Sequence, residues 1–242
     1  MVPLKESEYL QRDNKNLFEI FSYNTNIDWK KSKILDFGCN VGNFLNYATS
    51  EIKNNYTGVD LNLPSIEIAR KKHPDQKFIH YNKWHISFNP KGLSNINIDD
   101  VITDKFDVII LYSVFTHSTI IETRKELNIL KNMLNPGGKI LFTIWDNSIL
   151  EPFYKYICET QQIENILDIT NIKYNTVAYL VDGKTIQTDI ENLSFQSCES
   201  LFTFYNLHKF SELFPDANLI STPQQANLKN HHQIMFSVEN KQ

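Results

Sequence analysis

Residues 33–45, with the sequence KILDFGCNVGNFL, constrain the fold of this chain more than any other stretch. The first five residues predict a short buried strand, Gly38 and Gly42 predict a tight turn, and a helix is expected from Val41 to Ile52. We expect such a turn to present bare backbone N–H groups, which a ligand can approach because glycine has no Cβ. The stretch therefore predicts a strand–turn–helix unit with a ligand at its tip.

A second predicted strand, Tyr56 to Asp60, ends in an acidic residue. In a strand–helix–strand unit, an acid at the tip of the second strand is placed to hydrogen-bond the hydroxyls of a ribose. The first hypothesis is therefore a cofactor that contains a nucleoside.

Two kinds of nucleoside cofactor compete for this turn. A dinucleotide fold requires G-x-G-x-x-G, whose close glycines admit a pyrophosphate. Here Asn40 stands where the second glycine should be, so a pyrophosphate would be crowded. Asp36, just before the turn, would repel a phosphate but would suit a cation. The pattern favours S-adenosylmethionine, which carries a sulfonium and an ammonium and has no phosphate.

The turn resembles the first motif of the class I S-adenosylmethionine-dependent methyltransferases, an apolar strand followed by D-x-G-C-x-x-G-x-x-L. The residues that match are Asp36, Gly38, Cys39, Gly42 and Leu45. The resemblance implies that S-adenosylmethionine is the cofactor and that the chain is a methyltransferase.

Other landmarks of that family follow in order. Phe106–Val108 and the residues up to His117 resemble the fourth motif, without the N/D-P-P-Y tetrad that is usual for nucleic-acid and glutamine amino-methyltransferases. Residues 134–138, Leu-Asn-Pro-Gly-Gly, resemble the turn before the fifth strand, predicted at 139–145. The resemblance implies an α/β fold: a doubly wound, seven-stranded, mainly parallel, Rossmann-like sheet whose seventh strand is antiparallel.

The resemblance and the strand ends together predict the cofactor site. Asp60 matches the ribose-binding acid, and Asn82 stands where family members often place an acid for the adenine amino group. Trp84 is a candidate to stack on the adenine, and Tyr112 and Ser113 should line the methionine end. The full predicted set is Asp36, Gly38, Cys39, Asn40, Gly42, Asp60, Leu61, Asn82, Lys83, Trp84, Tyr112 and Ser113.

The 242 residues suit one methyltransferase domain spanning residues 1–242. Four parts are predicted within it: an N-terminal cover helix in 1–32, with its helical pattern at 7–22; a cofactor-binding core at 33–150; a lid insertion after strand five at 151–206; and closing strands at 207–242. Within the lid, a helix is predicted at 153–167 and a hairpin at 177–188 that turns at Asp182-Gly183. The last part should contain a helix at 208–214 and strands at 217–221 and 233–238.

Candidate catalytic residues follow from topology. Ligands of parallel α/β sheets lie at the carboxyl ends of the strands, and an antiparallel seventh strand brings the preceding loop to the same side. His231 is therefore a candidate general base. His117 is a second candidate because it matches a histidine that is frequent in the family it resembles, although it has an equally good structural role in capping the next helix. The predicted substrate-contacting residues are Tyr23, Trp145, Tyr154, Gln224 and His232.

Composition restricts the class of acceptor substrate and the cellular compartment that the sequence predicts. The net charge is −4 and the basic residues are spread along the chain, which argues against nucleic acid as a substrate. No apolar run reaches membrane-spanning length, and three scattered cysteines with no paired-histidine spacing predict a reduced, cytoplasmic protein with no metal. Homodimer formation is left open.

The sequence thus favours methyl transfer to an oxygen or nitrogen of a small polar metabolite, such as a sugar, a phosphorylated glycan precursor or a secondary metabolite. Three alternatives stay open: an NAD-dependent oxidoreductase, a protein methyltransferase, and a non-catalytic module that binds the cofactor and regulates a partner.

Overall fold

A computed structural model of the chain describes residues 16–85, 87–146, 176–181, 184–189, 200–205, 207–222 and 233–240. Within these ranges, none of the helices has the length and apolar character needed to span a bilayer.

The centre of the molecule is a mostly parallel sheet. Among the described residues, seven of its strands are β1 Ile34–Phe37, β2 Tyr56–Asp60, β3 Lys77–His80, β4 Phe106–Leu111, β5 Leu134–Asp146, β9 Asn218–Ser221 and β10 Ile234–Glu239. They run in the order β3-β2-β1-β4-β5-β10-β9, and only β10 is antiparallel to its neighbours. The predicted fold class, a doubly wound seven-stranded sheet, is confirmed.

Strand β1 lies near the middle of this sheet, hydrogen-bonded to β2 on one side and β4 on the other. All four of its residues are buried, because helices and loops cover both faces of a parallel sheet. Leu35 and Phe37 belong to one apolar cluster, and Ile34 belongs to the other. Strand β1, which leads into the glycine turn, is therefore packed in two separate apolar clusters.

Three further strands extend the sheet after β5: β6 Thr176–Val181, β7 Lys184–Asp189 and β8 Ser200–Tyr205. Strands β6 and β7 form the predicted antiparallel hairpin, and β8 pairs with β6 and with the end of β5, at Trp145 and Asp146. Strand β8 was not predicted. The predicted helix at 153–167 and the hairpin turn at Asp182-Gly183 lie outside the described residues.

The helices pack on the faces of the sheet, and 3-10 turns cover residues 43–46, 98–100 and 115–117. The α-helices are α1 Leu17–Ser22, α2 Ser50–Lys53, α3 Leu63–Lys72, α4 Ile120–Asn132 and α5 Leu207–Leu213. Helix α4 begins at a reciprocal capping box between Thr119 and Glu122, which satisfies backbone N–H groups that the first turn would leave unpaired. Helix α1 is the described part of the predicted cover helix, since residues 7–15 lie outside the described ranges.

Two local predictions are wrong. The helix expected from Val41 to Ile52 is divided into the 3-10 turn at 43–46 and the short helix α2, because Gly42 is left-handed (φ 79°) and Thr49 is extended. Residues 135–138, predicted as a turn, belong to β5, which starts at Leu134 and shifts register against β4 there. The pairing with β4 passes from Leu134 directly to Lys139, and Gly137 has a left-handed φ of 74°, so these four residues form an irregular segment within β5.

Candidate functional site

The predicted cofactor residues lie where β1, β2, β3 and β4 end. Because these strands are parallel, their carboxyl ends share one edge of the sheet. The turn after β1, Asp60 on β2, Asn82 after β3 and Tyr112 after β4 therefore border one region, which we call the carboxyl edge.

The glycine turn is more closed than the sequence predicted. The N–H groups of Gly38 and Cys39 both donate to Val59 O, at 2.8 and 3.0 Å, and that of Gly42 donates to Cys39 O at 2.9 Å. The N–H of Asn40 donates to Asp60 Oδ2 at 2.9 Å. The expectation of bare backbone N–H groups is therefore wrong for these four residues.

Gly38 is required by both conformation and space. Its φ is 83°, and a Cβ at this position would lie 2.5 Å from Val114 Cγ2. Asn40 also has a positive φ, of 50°, which asparagine tolerates better than most residues. The turn thus has two residues in the left-handed region, Gly38 and Asn40, and packs against Val114 in the segment following β4.

Asp60 connects the first two strands at the carboxyl edge. Its Oδ2 accepts the N–H of Asn40, and its Oδ1 accepts the N–H of Asn62 at 2.8 Å. Burial raises the pKa of this carboxyl, while those backbone hydrogen bonds lower it. Each carboxylate oxygen has two lone pairs, so both can accept a further hydrogen bond from a ligand hydroxyl.

Asp36 lies beneath the turn and is 4% exposed. Its Oδ2 accepts the hydroxyl of Tyr56 at 2.7 Å. Burial and the charge of Asp36 raise the pKa of the Tyr56 hydroxyl, so Tyr56 stays a proton donor to this acid. Burial, followed by the charges of Asp36 and Asp60, raises the pKa of the Cys39 thiol, which therefore stays protonated.

The residues after β3 form a compact loop. Asn82 Oδ1 accepts Asn89 Nδ2 at 3.1 Å, and the N–H of Trp84 donates to Leu93 O at 2.9 Å. Lys83 instead forms an ion pair with Glu126 of α4, with Nζ 2.5 Å from Oε2. The charge of Lys83 is therefore neutralised by the helix packed on the sheet.

Tyr112 and Ser113 follow β4. The ring of Tyr112 meets Phe21 of α1 edge-on, with centroids 6.4 Å apart, so the cover helix contacts this end of the edge. Ser113 has a positive φ of 59°, which is uncommon for residues other than glycine.

An aromatic group lies farther along the carboxyl edge and contains two residues, His85 and Phe88, that were absent from the predicted site. Phe88 meets the ring of His117 at right angles with centroids 5.1 Å apart, and His117 meets Trp145 at 5.9 Å. His85 Nδ1 accepts the N–H groups of Ser87 and Phe88, so Nε2 carries the proton and donates to His117 O at 2.9 Å. All four rings are partly exposed, and we call them the aromatic wall.

One feature of the sequence pointed to His85: it directly follows Asn82, Lys83 and Trp84, which were predicted to lie near the adenine. Burial lowers the pKa of His85, which keeps the ring neutral and its tautomer defined. Nothing local indicated Phe88, because its partner His117 is remote in sequence.

The remaining predicted residues divide into two groups. Leu61 O contacts His80 Nε2 at 3.1 Å at the end of β2, and Tyr23 ends α1 with 38% of its surface exposed. The others lie outside the described residues: Tyr154, Gln224, His231 and His232.

The sequence matches the family described as a methyltransferase domain over residues 8–220, which is most of the chain. The chain belongs to the methyltransferase domain family. Together with the sheet order, this match confirms the predicted identification as a class I methyltransferase at the level of family and fold.

Comparisons with individual proteins agree with this membership. Uncharacterized protein RP028 of Rickettsia prowazekii is 36% identical over 108 residues, which is 44% of this chain but only 40% of that relative's length. The structure of a SAM-dependent methyltransferase from Methanosarcina mazei has a TM-score of 0.50 at 16% identity, covering 91% of this chain and 94% of that one. A glycopeptide N-methyltransferase, solved with S-adenosylhomocysteine, has a TM-score of 0.53 at 12% identity, covering 95% and 91%. At these identities the two structures support the fold alone.

Proposed function

We propose that this methyltransferase uses S-adenosylmethionine to methylate an oxygen or nitrogen of a small polar metabolite. Family membership supports methyl transfer, and the similar fold of an N-methyltransferase solved with S-adenosylhomocysteine supports the choice of cofactor. The acceptor is inferred from the chemistry of the carboxyl edge.

The observation that carries the proposal is the hydrogen bond from Asn40 N to Asp60 Oδ2. It places a carboxylate beside the glycine turn, where it can accept the two hydroxyls of a ribose. The N–H groups of Gly38, Cys39 and Gly42 are already bonded to protein carbonyls, so they are not available to hold a pyrophosphate. The buried negative charge of Asp36 opposes a pyrophosphate as well, and these features disfavour the NAD-dependent alternative.

The other cofactor contacts follow from the same edge. We assign the ammonium and sulfonium side of the cofactor to the turn above Asp36 and to the Tyr112–Ser113 segment. Asn82 Oδ1 already accepts one hydrogen bond, and its second lone pair can accept the adenine amino group. Trp84 is the candidate for stacking on the adenine.

Methyl transfer requires little covalent chemistry from the protein. When bound, S-adenosylmethionine would supply an activated methyl carbon, to which a lone pair of the acceptor would bond as the S–C bond breaks and leaves its electron pair on sulfur. Holding the acceptor in line about 3 Å from that carbon can lower the barrier by several kcal/mol. A hydroxyl or amine acceptor also loses a proton, and we propose His117, and His231 as a second candidate, as the base that takes it.

The aromatic wall supports an acceptor with a ring face. Phe88, His117 and Trp145 are partly exposed at the end of the carboxyl edge, where their ring faces and edges can pack on a sugar or a planar ring. We include Tyr23, Tyr154, Gln224 and His232 among the proposed acceptor contacts.

We also propose that the chain forms a single domain in which each segment has its own role. Residues 33–150 bind the cofactor, residues 1–32 cover one end of the cleft, and residues 151–206 form a lid. Strand β8 would attach this lid to the cofactor-binding core, because Thr203 Oγ1 donates to Ser118 O at 2.6 Å, and Ser118 directly follows His117. Residues 207–242 close the sheet.

Calorimetric titration with S-adenosylhomocysteine tests the cofactor assignment. We expect the wild type to bind and Asp60→Asn to bind at least about tenfold more weakly, since a charge-assisted hydrogen bond is worth about 1.5–3 kcal/mol. Asp107→Asn is the matched control, because Asp107 likewise accepts a backbone N–H, from Lys33 at 2.8 Å, but at the opposite edge of the sheet. Binding of NADH in place of S-adenosylhomocysteine would contradict the proposal.

Incubation of a cell extract with methyl-labelled S-adenosylmethionine tests the acceptor class. We expect label in the small-metabolite fraction, with lower turnover and unchanged S-adenosylhomocysteine binding in His117→Ala. Label confined to macromolecules would indicate a protein methyltransferase, and binding without any transfer would indicate a regulatory module.

A further inference from the structure

We propose that Gln233 is a positioning residue that sets the shape of the cofactor cleft, although it directly precedes β10 and does not belong to the glycine turn. This inference rests on the proposed function, because the cleft it shapes is the one assigned to S-adenosylmethionine.

Gln233 completes a directed chain of hydrogen bonds, of which the one with Thr143 is buried and the others are partly buried. The N–H of Ser113 donates to Thr143 Oγ1 at 2.9 Å, and Thr143 Oγ1 donates to Gln233 Oε1 at 2.5 Å. Gln233 Nε2 then donates back to Ser113 Oγ at 3.0 Å. From there the chain continues through Thr116 Oγ1, which donates to Ser113 O at 2.7 Å.

This arrangement satisfies the amide of Gln233 on both sides, which fixes the direction of each hydrogen bond. Thr116 and Thr143 are fully buried and Gln233 is 4% exposed, so water does not replace a lost partner at low cost. A carboxamide is the side chain required, since it both accepts from Thr143 and donates to Ser113.

The restrained element is the backbone of Ser113. Its φ of 59° lies in the left-handed region, and such a conformation persists only where the surroundings impose it. The hydrogen-bond chain holds the N–H, the hydroxyl and the carbonyl of this one residue. Without Gln233, the Ser113 hydroxyl keeps only its contact with Thr116 Oγ1, and Thr143 loses its acceptor, so the backbone of Ser113 is held less tightly and can relax.

Val114 transmits this restraint to the glycine turn. Its Cγ2 occupies the space in which a Cβ of Gly38 would lie, 2.5 Å away. The conformation of Ser113 directs the chain into Val114, so a change in φ at Ser113 moves Val114 relative to Gly38. Gln233, which is 120 positions from Ser113 in sequence, thereby controls where the turn after β1 sits.

Two variants test this inference. Gln233→Leu removes both hydrogen bonds at similar volume, and Gln233→Glu keeps the acceptor for Thr143 but loses the donor to Ser113. Ser237→Ala is the matched control, because Ser237 is a buried polar residue of β10 that pairs with Leu141, away from the carboxyl edge.

We expect the Kd for S-adenosylhomocysteine to rise about tenfold in both Gln233 variants, equivalent to about 1.4 kcal/mol, and to stay unchanged in Ser237→Ala. Amide hydrogen exchange in the segment 112–117 should accelerate in the Gln233 variants and not in the control. A purely structural role would lower Tm in all three variants without separating them in Kd or exchange.

Unchanged exchange at 112–117 in both Gln233 variants would overturn the inference, as would wild-type Kd values alongside a lowered Tm. The exchange measurement does not depend on the cofactor. If the wild type fails to bind S-adenosylhomocysteine, the proposed function is wrong, and exchange alone then decides whether Gln233 positions Ser113.

Discussion

The sharpest prediction concerns Gly38→Ala, where the structure separates two causes of destabilisation. Gly38 has a φ of 83°, and the left-handed conformation costs an alanine about 1–2 kcal/mol, partly offset by about 0.4–1 kcal/mol from the stiffer unfolded chain. The new Cβ would also lie 2.5 Å from Val114 Cγ2, and overpacking of this kind costs about 1–3 kcal/mol. We expect a total loss of about 2–4 kcal/mol in the free energy of unfolding.

Gly137→Ala is the matched control, because Gly137 has a φ of 74° but nothing within 4 Å of its Cβ position. It should lose only the conformational part, about 1 kcal/mol or less. Urea unfolding of both variants measures the difference. In a double-mutant cycle with Val114→Ala, the two substitutions should couple favourably by about 1–3 kcal/mol, since Val114→Ala removes the methyl group that the new Cβ meets.

Equal losses for Gly38→Ala and Gly137→Ala would refute the claim that Val114 packs against the glycine turn. Absence of coupling in the double variant would refute it as well. The same purified proteins can be titrated with S-adenosylhomocysteine, for which Gly38→Ala should bind more weakly than Gly137→Ala.

Two further predictions concern residues around the site. Burial and the nearby Lys72 and Lys53 lower the pKa of His73 to about 4, so the unfolded chain, with a histidine pKa of about 6.5, takes up the proton first as pH falls. The stability conferred by neutral His73 is therefore present above about pH 6.5 and lost towards pH 4. In urea unfolding, the free energy of unfolding of His73→Gln should depend less on pH over this range than that of the wild type. Parallel curves of the two proteins would contradict this. Lys83→Met should lower the free energy of unfolding by about 2–4 kcal/mol, because it leaves the 8%-exposed carboxylate of Glu126 unpaired, while calorimetry should show unchanged S-adenosylhomocysteine binding. A tenfold weaker Kd at unchanged stability would instead assign Lys83 to the cofactor.

The seven strands β1, β2, β3, β4, β5, β9 and β10 were predicted in their correct order along the chain, whereas β8 was not predicted. Strand β4, Phe106–Leu111, was predicted from its run of β-branched and other apolar residues, and the turn after β1 from an apolar run ended by glycine. The hairpin of β6 and β7 was predicted from Asp-Gly between two strands. The helix after the turn was predicted wrongly, because its propensity is overridden by the left-handed Gly42. Each successful prediction rests on residues that are neighbours in sequence.

The sequence by itself determined that a strand, a glycine turn and an acid at the next strand tip would meet at one edge of a parallel sheet. Only the tertiary structure decided which groups there remain available to a ligand. The N–H groups of the turn bond to Val59 and Asp60, His85 holds the carbonyl of His117, and Gln233 holds Ser113. These partners are separated by up to 120 positions, and hydrogen bonds between such remote groups depend on packing that no local pattern encodes.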